Sequence, residues 1–199
     1  MDVPAIIRQK QIIIIPSNNN ADQNGVIIWF HGLGDSGQSW QETFLEHLRL
    51  PHLKVILPTA ERIPYSGQEN RYVAAWYSKN VASKISSDEE KKSFDGAIKM
   101  VHCLIRDQIA SGIAAKKIIL GGFGMGADTM IPVSWAKNTV RLLTEIYEMS
   151  NIEFKTYPEV RHSLSLEGCI DLNDWFLKVV PAPASSGRKK RNRKNKSRH

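Results

Sequence analysis

The run Gly25-Val26-Ile27-Ile28-Trp29-Phe30 carries no polar side chain in six residues. A strand with one wet face alternates apolar and polar residues. An unbroken apolar run of this length fits a strand buried on both faces, as inside a parallel sheet. The rest of the chain repeats the theme. Ile12–Ile15, Lys54–Pro58, Lys117–Leu120 and Ile152–Tyr157 read as further strands. Between them lie helical patterns over about 40–50, 86–111, 133–149 and 166–180. Ser86-Ser87-Asp88-Glu89-Glu90 opens the longest helix with hydroxyl caps and acids suited to the positive helix end. Strands alternating with helices predict an α/β fold with a mostly parallel sheet flanked by helices. The stretch 59–85 offers no clear periodicity and is expected to be irregular.

Charge separates a domain from a tail. The formal charge is +7 over 199 residues. Eight Lys/Arg and no acid fall in Arg188–His199, leaving 19 bases against 20 acids in the remainder. The basic balance therefore belongs to the end of the chain, and a nucleic-acid-binding face on the domain is not expected. Residues 1–180 read as one domain and 181–199 as a disordered polybasic tail. The longest all-aliphatic run, Ile12–Ile15, is far short of a membrane span. Met1-Asp2-Val3-Pro4 has neither the basic region nor the apolar run of a signal peptide, and Asp2 excludes N-myristoylation. Cys103 and Cys169 both sit in apolar helical patterns, which fits free thiols in a reducing compartment. The six histidines lack zinc-site spacing. No metal or other cofactor is expected, and the expected location is cytoplasmic, with the nucleus open through the tail.

Ligand sites in open α/β sheets lie beyond the carboxyl ends of the strands. Three loops qualify: 31–37, 121–127 and 158–165. His31-Gly32-Leu33-Gly34-Asp35-Ser36-Gly37 leaves a buried strand, and its backbone N–H groups could face a developing oxyanion. Gly122-Phe123-Gly124-Met125-Gly126 has the small flanking residues of a nucleophile elbow, the sharp strand-to-helix turn of Gly-x-Ser-x-Gly. His162 follows the last strand, where a general base suits this architecture. Taken singly, each also has a plain structural reading as a glycine turn or a surface histidine.

In this order, with Pro58-Thr59-Ala60 and Trp76 between them, the motifs resemble the acyl-protein thioesterase and lysophospholipase-like branch of the α/β-hydrolases. The resemblance covers about residues 5–126, resumes at Asp128-Thr129-Met130-Ile131-Pro132-Val133, and runs to about Val180. It implies hydrolysis of acyl thioesters or esters, palmitoyl groups on protein cysteines included, and so a place in lipid metabolism. The implied partner is an acylated protein or a lipid ester. Carried over residue by residue, His162 matches the base and Asp128 the acid. The backbone N–H groups of Leu33 and Met125 match the oxyanion donors. The nucleophile position is matched by Gly124, which has no side chain to attack with.

The spacing departs as well. The family places a helix, two strands and another helix between elbow and acid, roughly 50 residues by ordinary element lengths. Here Gly124 and Asp128 are four positions apart, as though a segment had been excised and the ends joined. The fold expected is therefore α/β-hydrolase-like but shortened after the elbow, and the chain is expected to be weakly active or inactive. The alternative is a non-catalytic pseudoenzyme that binds an acyl chain or a protein. Ser36 and Ser163 are the hydroxyls nearest these motifs, and either would need an activating base within reach. The tail suits a nuclear import receptor, an anionic membrane, or no partner beyond solvent and a weak RNA contact. It has no aromatic residue for base stacking, and no specific nucleic acid is expected.

Overall fold

The computed structural model describes residues 12–18, 23–78, 87–123 and 164–183, and singly Arg141, Glu145, Glu153 and Lys155. Four strands make the main sheet: β1 (Ile12–Ile15), β2 (Gly25–Phe30), β3 (Leu53–Pro58) and β6 (Ile118–Gly122). Their spatial order is β1-β3-β2-β6. β2 runs parallel to β3 and to β6, with Ile27 opposite Val55 and Ile119. β1 closes one edge antiparallel to β3. β2 is central, as its unbroken apolar run predicts, and every residue from Gly25 to Trp29 is buried.

Alternation along β2 splits the core in two. Ile27 and Trp29 face α1 (Gly37–Glu46) and α3 (Leu166–Val179), joining Val55, Leu57, Trp40, Phe44, Leu48, Phe176 and Val180. Val26 and Ile28 face the other way, to Ile56 and to Leu104 of α2 (Asp88–Ala110). Full burial of Phe44 and Phe176 is worth roughly 1.5–3 kcal/mol each, which makes the α1/α3 face the stronger half. From β2 the chain crosses through α1 to β3 on one side. From β3 it returns through α2 past β2 to β6. Right-handed crossovers running in opposite directions require helices on opposite faces, as found.

Each of these three helices starts on a serine cap. Ser36 Oγ accepts from Ser39 N at 3.3 Å and Ser165 Oγ from Gly168 N at 3.0 Å. Ser87 and Glu90 form a reciprocal capping box. Ser36 explains why α1 begins at Gly37, earlier than the apolar pattern from Trp40 suggests.

The stretch expected to be irregular holds a hairpin, β4 (Arg62–Tyr65) against β5 (Arg71–Ala74). Its turn uses the left-handed backbone of Glu69 (φ 52°) and Asn70 (φ 59°). Glu90 anchors it to α2, since Glu90 Oε1 accepts from Ser66 Oγ at 2.8 Å. The expected strand at 152–157 and helix at 133–149 lie outside the described residues, except for Glu153, Lys155, Arg141 and Glu145. Among the described residues no helix is long and apolar enough to cross a membrane.

Gly37 is the tightest point between α1 and the sheet. A Cβ there would sit 2.3 Å from Leu57 O, a backbone atom that cannot swing away. Gly37→Ala is therefore expected to destabilise the fold by about 1–3 kcal/mol, at the upper end because backbone must move. A lowered urea midpoint at unchanged m-value checks this. An unchanged midpoint would mean the α1–β3 contact is looser than described.

Candidate functional site

The loops after β2 and β3 leave toward opposite faces of the sheet, so the crevice between their carboxyl ends is the topological switch point. His31 stands there and is 2% exposed. Its Nδ1 lies 2.6 Å from Gly32 O, and Ala60 N donates to its Nε2 at 2.9 Å. A carbonyl only accepts and an amide N–H only donates, so Nδ1 carries the proton and Nε2 is bare. This neutral tautomer ties the β2 loop to the β3 loop. Trp76 adds a second tie: its Nε1 donates to His31 O at 2.7 Å, and its ring lies 4.8 Å from the imidazole.

The rest of the loop is fixed by its own polar residues. Gly34 takes φ +77°, a conformation that favours glycine, and its N–H donates to Ala74 O at 2.8 Å. Asp35 receives Ser36 N at 2.8 Å and Trp40 Nε1 at 3.0 Å, together with the Ser39 hydroxyl. Gly37 N donates to Thr59 Oγ1 at 2.9 Å. Leu33 is half-buried on this frame, and among the described residues its backbone N–H has no acceptor. Phe123 N donates to Phe30 O at 3.0 Å, so β6 ends level with the start of this loop.

Of the site residues read from sequence, only Leu33 is described. Gly124, Met125, Asp128 and His162 lie outside the described residues, as does Ser163. Ser36 is described, and its hydroxyl caps α1 with no described histidine beside it. Cys103 and Cys169 are free thiols, and burial pushes the Cys169 thiol pKa up. Among the described residues no cluster of His, Cys, Asp and Glu could hold a metal. The structural weight of His31 and Trp76 was missed in the sequence. The signal was a histidine directly after a doubly buried strand, at the carboxyl edge of the sheet.

Two grooves flank this frame. One, of about 320 Å³, is apolar and is lined by Phe30, Trp76, Tyr77, Phe94, Ile98 and Val101. It starts one residue before His31. The other, of about 540 Å³, lies between α1 and the start of α3, with Asp35, Ser39, Thr43 and His47 on its polar side.

Burial lowers the His31 pKa from its ordinary 6.5, against smaller raising effects of the Gly32 carbonyl and Asp35. The unfolded chain therefore binds a proton at His31 at a higher pH than the folded one. The stability from this group is full above pH 6.5 and falls as pH drops below it toward the lowered folded value. Protonation would also put a hydrogen on Nε2, against the Ala60 N–H. The expected result is a melting temperature that falls between about pH 7.5 and pH 5, with a shallower slope in His31→Asn. Parallel slopes would contradict the role given to His31.

Residues 10–128, more than half of the chain, match the Phospholipase/Carboxylesterase family. Acyl-protein thioesterase 1 homolog 2 of Dictyostelium discoideum is 35% identical over 118 residues, covering 57% of this chain and 52% of that protein. Lysophospholipase-like protein 1 of Mus musculus is 30% identical over 131 residues, covering 62% and 52%. The chain thus spans about half the length of these curated relatives. The crystal structure of Arabidopsis thaliana SOBER1 superposes with a TM-score of 0.66 at 20% identity, covering 78% of this chain and 98% of that one, a likeness of fold. The loop geometry, the sheet order and these matches agree: the chain has an α/β-hydrolase-like fold and belongs to the Phospholipase/Carboxylesterase family.

Proposed function

We propose that this chain keeps the acyl-recognition frame of its family and hydrolyses acyl thioesters or esters weakly or not at all. The carrying observation is a contrast within one site. The loop that would hold the oxyanion is built and locked through His31, Trp76 and Asp35, while position 124 is glycine. In a complete site a serine hydroxyl attacks the acyl carbon, a histidine takes its proton, an acid orients that histidine, and backbone N–H groups hold the oxygen. Leu33 supplies one such N–H here, Met125 the second, His162 the base and Asp128 the acid. Without the attacking atom, only binding and oxyanion stabilisation remain, the residual roughly 10³–10⁴-fold over water known from nucleophile-deleted hydrolases. The family match ends at residue 128, four positions past Gly124, which supports a chain shortened just after the elbow.

The apolar groove beside Phe30 and Trp76 favours a second reading, a non-catalytic acyl binder. Its volume of about 320 Å³ lies within the range of roughly 300–1,000 Å³ typical of small-ligand pockets.

Three measurements test these readings. The purified chain should release no thiol from a fluorogenic acyl thioester above the level of His162→Ala, and a fluorophosphonate probe should leave it unlabelled. Turnover that His162→Ala abolishes, with a labelled serine, would overturn the first reading. For the second, Ile98→Glu should weaken binding of a fluorescent fatty-acyl probe by about tenfold or more, because a carboxylate would be desolvated in the groove. Equal binding by the variant would remove the groove from the account.

A further inference from the structure

α3 is not covered on every side that its apolar residues define. Cys169, Phe176 and Val180 are buried in the core. About a quarter turn round the helix, Leu166, Ile170 and Leu177 stay 66%, 55% and 39% exposed. At about 100° per residue these three fall within an arc of roughly 40°, a line of aliphatic side chains along the helix with Asn173 beside the gap between Ile170 and Leu177. Beyond the stripe come Glu167, Asp171, Asp174 and Lys178. Asp171 is held by Lys155 at 2.6 Å and Lys178 by Glu153 at 3.7 Å.

The sequence places its strongest charge directly after this helix. α3 ends at Val179, and Arg188 opens the run of eight bases without an acid. From Val180 to Arg188 the chain can reach at most about 28 Å, and a 14-residue helix is about 21 Å long, so the bases can accompany any part of the stripe. The remainder of the chain, with 19 bases against 20 acids, offers no comparable attraction.

We propose that the α3 stripe and the polybasic tail together dock this protein on an anionic lipid bilayer. The bases are drawn to headgroup charge, and Leu166, Ile170 and Leu177 enter the interfacial layer. Neither signal suffices alone: three aliphatic side chains bury little area, and a basic run without an apolar anchor is released by salt. The eight tail charges outweigh Glu167 and Asp174 on the flank of the stripe. An import receptor would read the bases and leave the stripe unused. RNA would have no use for aliphatic side chains, and the tail has no aromatic residue to stack on bases. The inference does not depend on whether an acyl bond is broken.

The test is co-sedimentation of the full chain with vesicles of phosphatidylcholine alone or with about 30 mol% phosphatidylserine, near 0.1 M salt. Two full-length variants accompany it, one with the eight tail bases changed to Gln and one carrying Ile170→Ser and Leu177→Ser. The expected result is binding at least tenfold tighter to the anionic vesicles, with a loss of tenfold or more in each variant at unchanged melting temperature. If the double variant melts lower, Leu166→Ser at the exposed helix start replaces it. Equal binding to both vesicles would overturn the proposal. So would a stripe variant that binds like the parent, or RNA or import-receptor binding without vesicle binding.

Discussion

A single uncharged imidazole holds together the part of this molecule that matters for chemistry. His31 sits where the chain, having crossed the sheet one way through α1, returns the other way through α2. One hydrogen bond joins the loops that part at this point, from Ala60 N to His31 Nε2 at 2.9 Å, and a second within the β2 loop, from Nδ1 to Gly32 O at 2.6 Å, sets the ring. The arrangement works only for a neutral ring with its proton on Nδ1. Burial supplies that condition by lowering the pKa. Gly34, Asp35 and Gly37 then have fixed ends to span, and the half-buried Leu33 N–H is left without an acceptor among the described residues. A lock of this kind makes sense for a loop that must present a backbone donor at a set position, since preorganised donors need no rearrangement when charge develops.

The locked frame and the glycine at position 124 point in different directions, and the physical organisation reconciles them. The loop 31–37 is stabilised by contacts made within residues 23–78: Trp76 to His31 O, Asp35 to Trp40, Gly37 to Thr59. None of these requires a nucleophile at position 124. The loop geometry therefore does not depend on the side chain at position 124. The exposed aliphatic residues of α3 lie outside that lock, whereas the apolar groove shares Trp76 with it.

Much of the fold was legible in the sequence for one reason, the alternation of apolar runs with helical stripes. Gly25–Phe30 had to be a central strand because nothing in it tolerates water, and it is. The helix at Asp88–Ala110 was announced by Ser87 and the acids that follow. The hairpin at Arg62–Ala74 was not, because Pro64 and the exposed Tyr72 and Arg71 blur its alternation, and its turn relies on Glu69 and Asn70 with positive φ rather than on glycine. In the site, sequence reasoning identified the glycine loop but treated His31 as part of a motif. Its role comes from a contact with Ala60 across 29 positions, which no local pattern encodes. Gly124, Met125, Asp128 and His162 rest on resemblance, since they lie outside the described residues.

The most direct test of this account is the protonation state of His31. Nitrogen-15 NMR of imidazole-labelled protein, with His31→Asn for assignment, reads which ring nitrogen carries the proton near pH 7. The account predicts a neutral ring with a proton on Nδ1 and a bare Nε2 accepting from the Ala60 amide. A cationic His31, or a proton on Nε2, would contradict it, because the Ala60 N–H would then have no acceptor on the ring and the bond through which His31 ties the two loops would be lost.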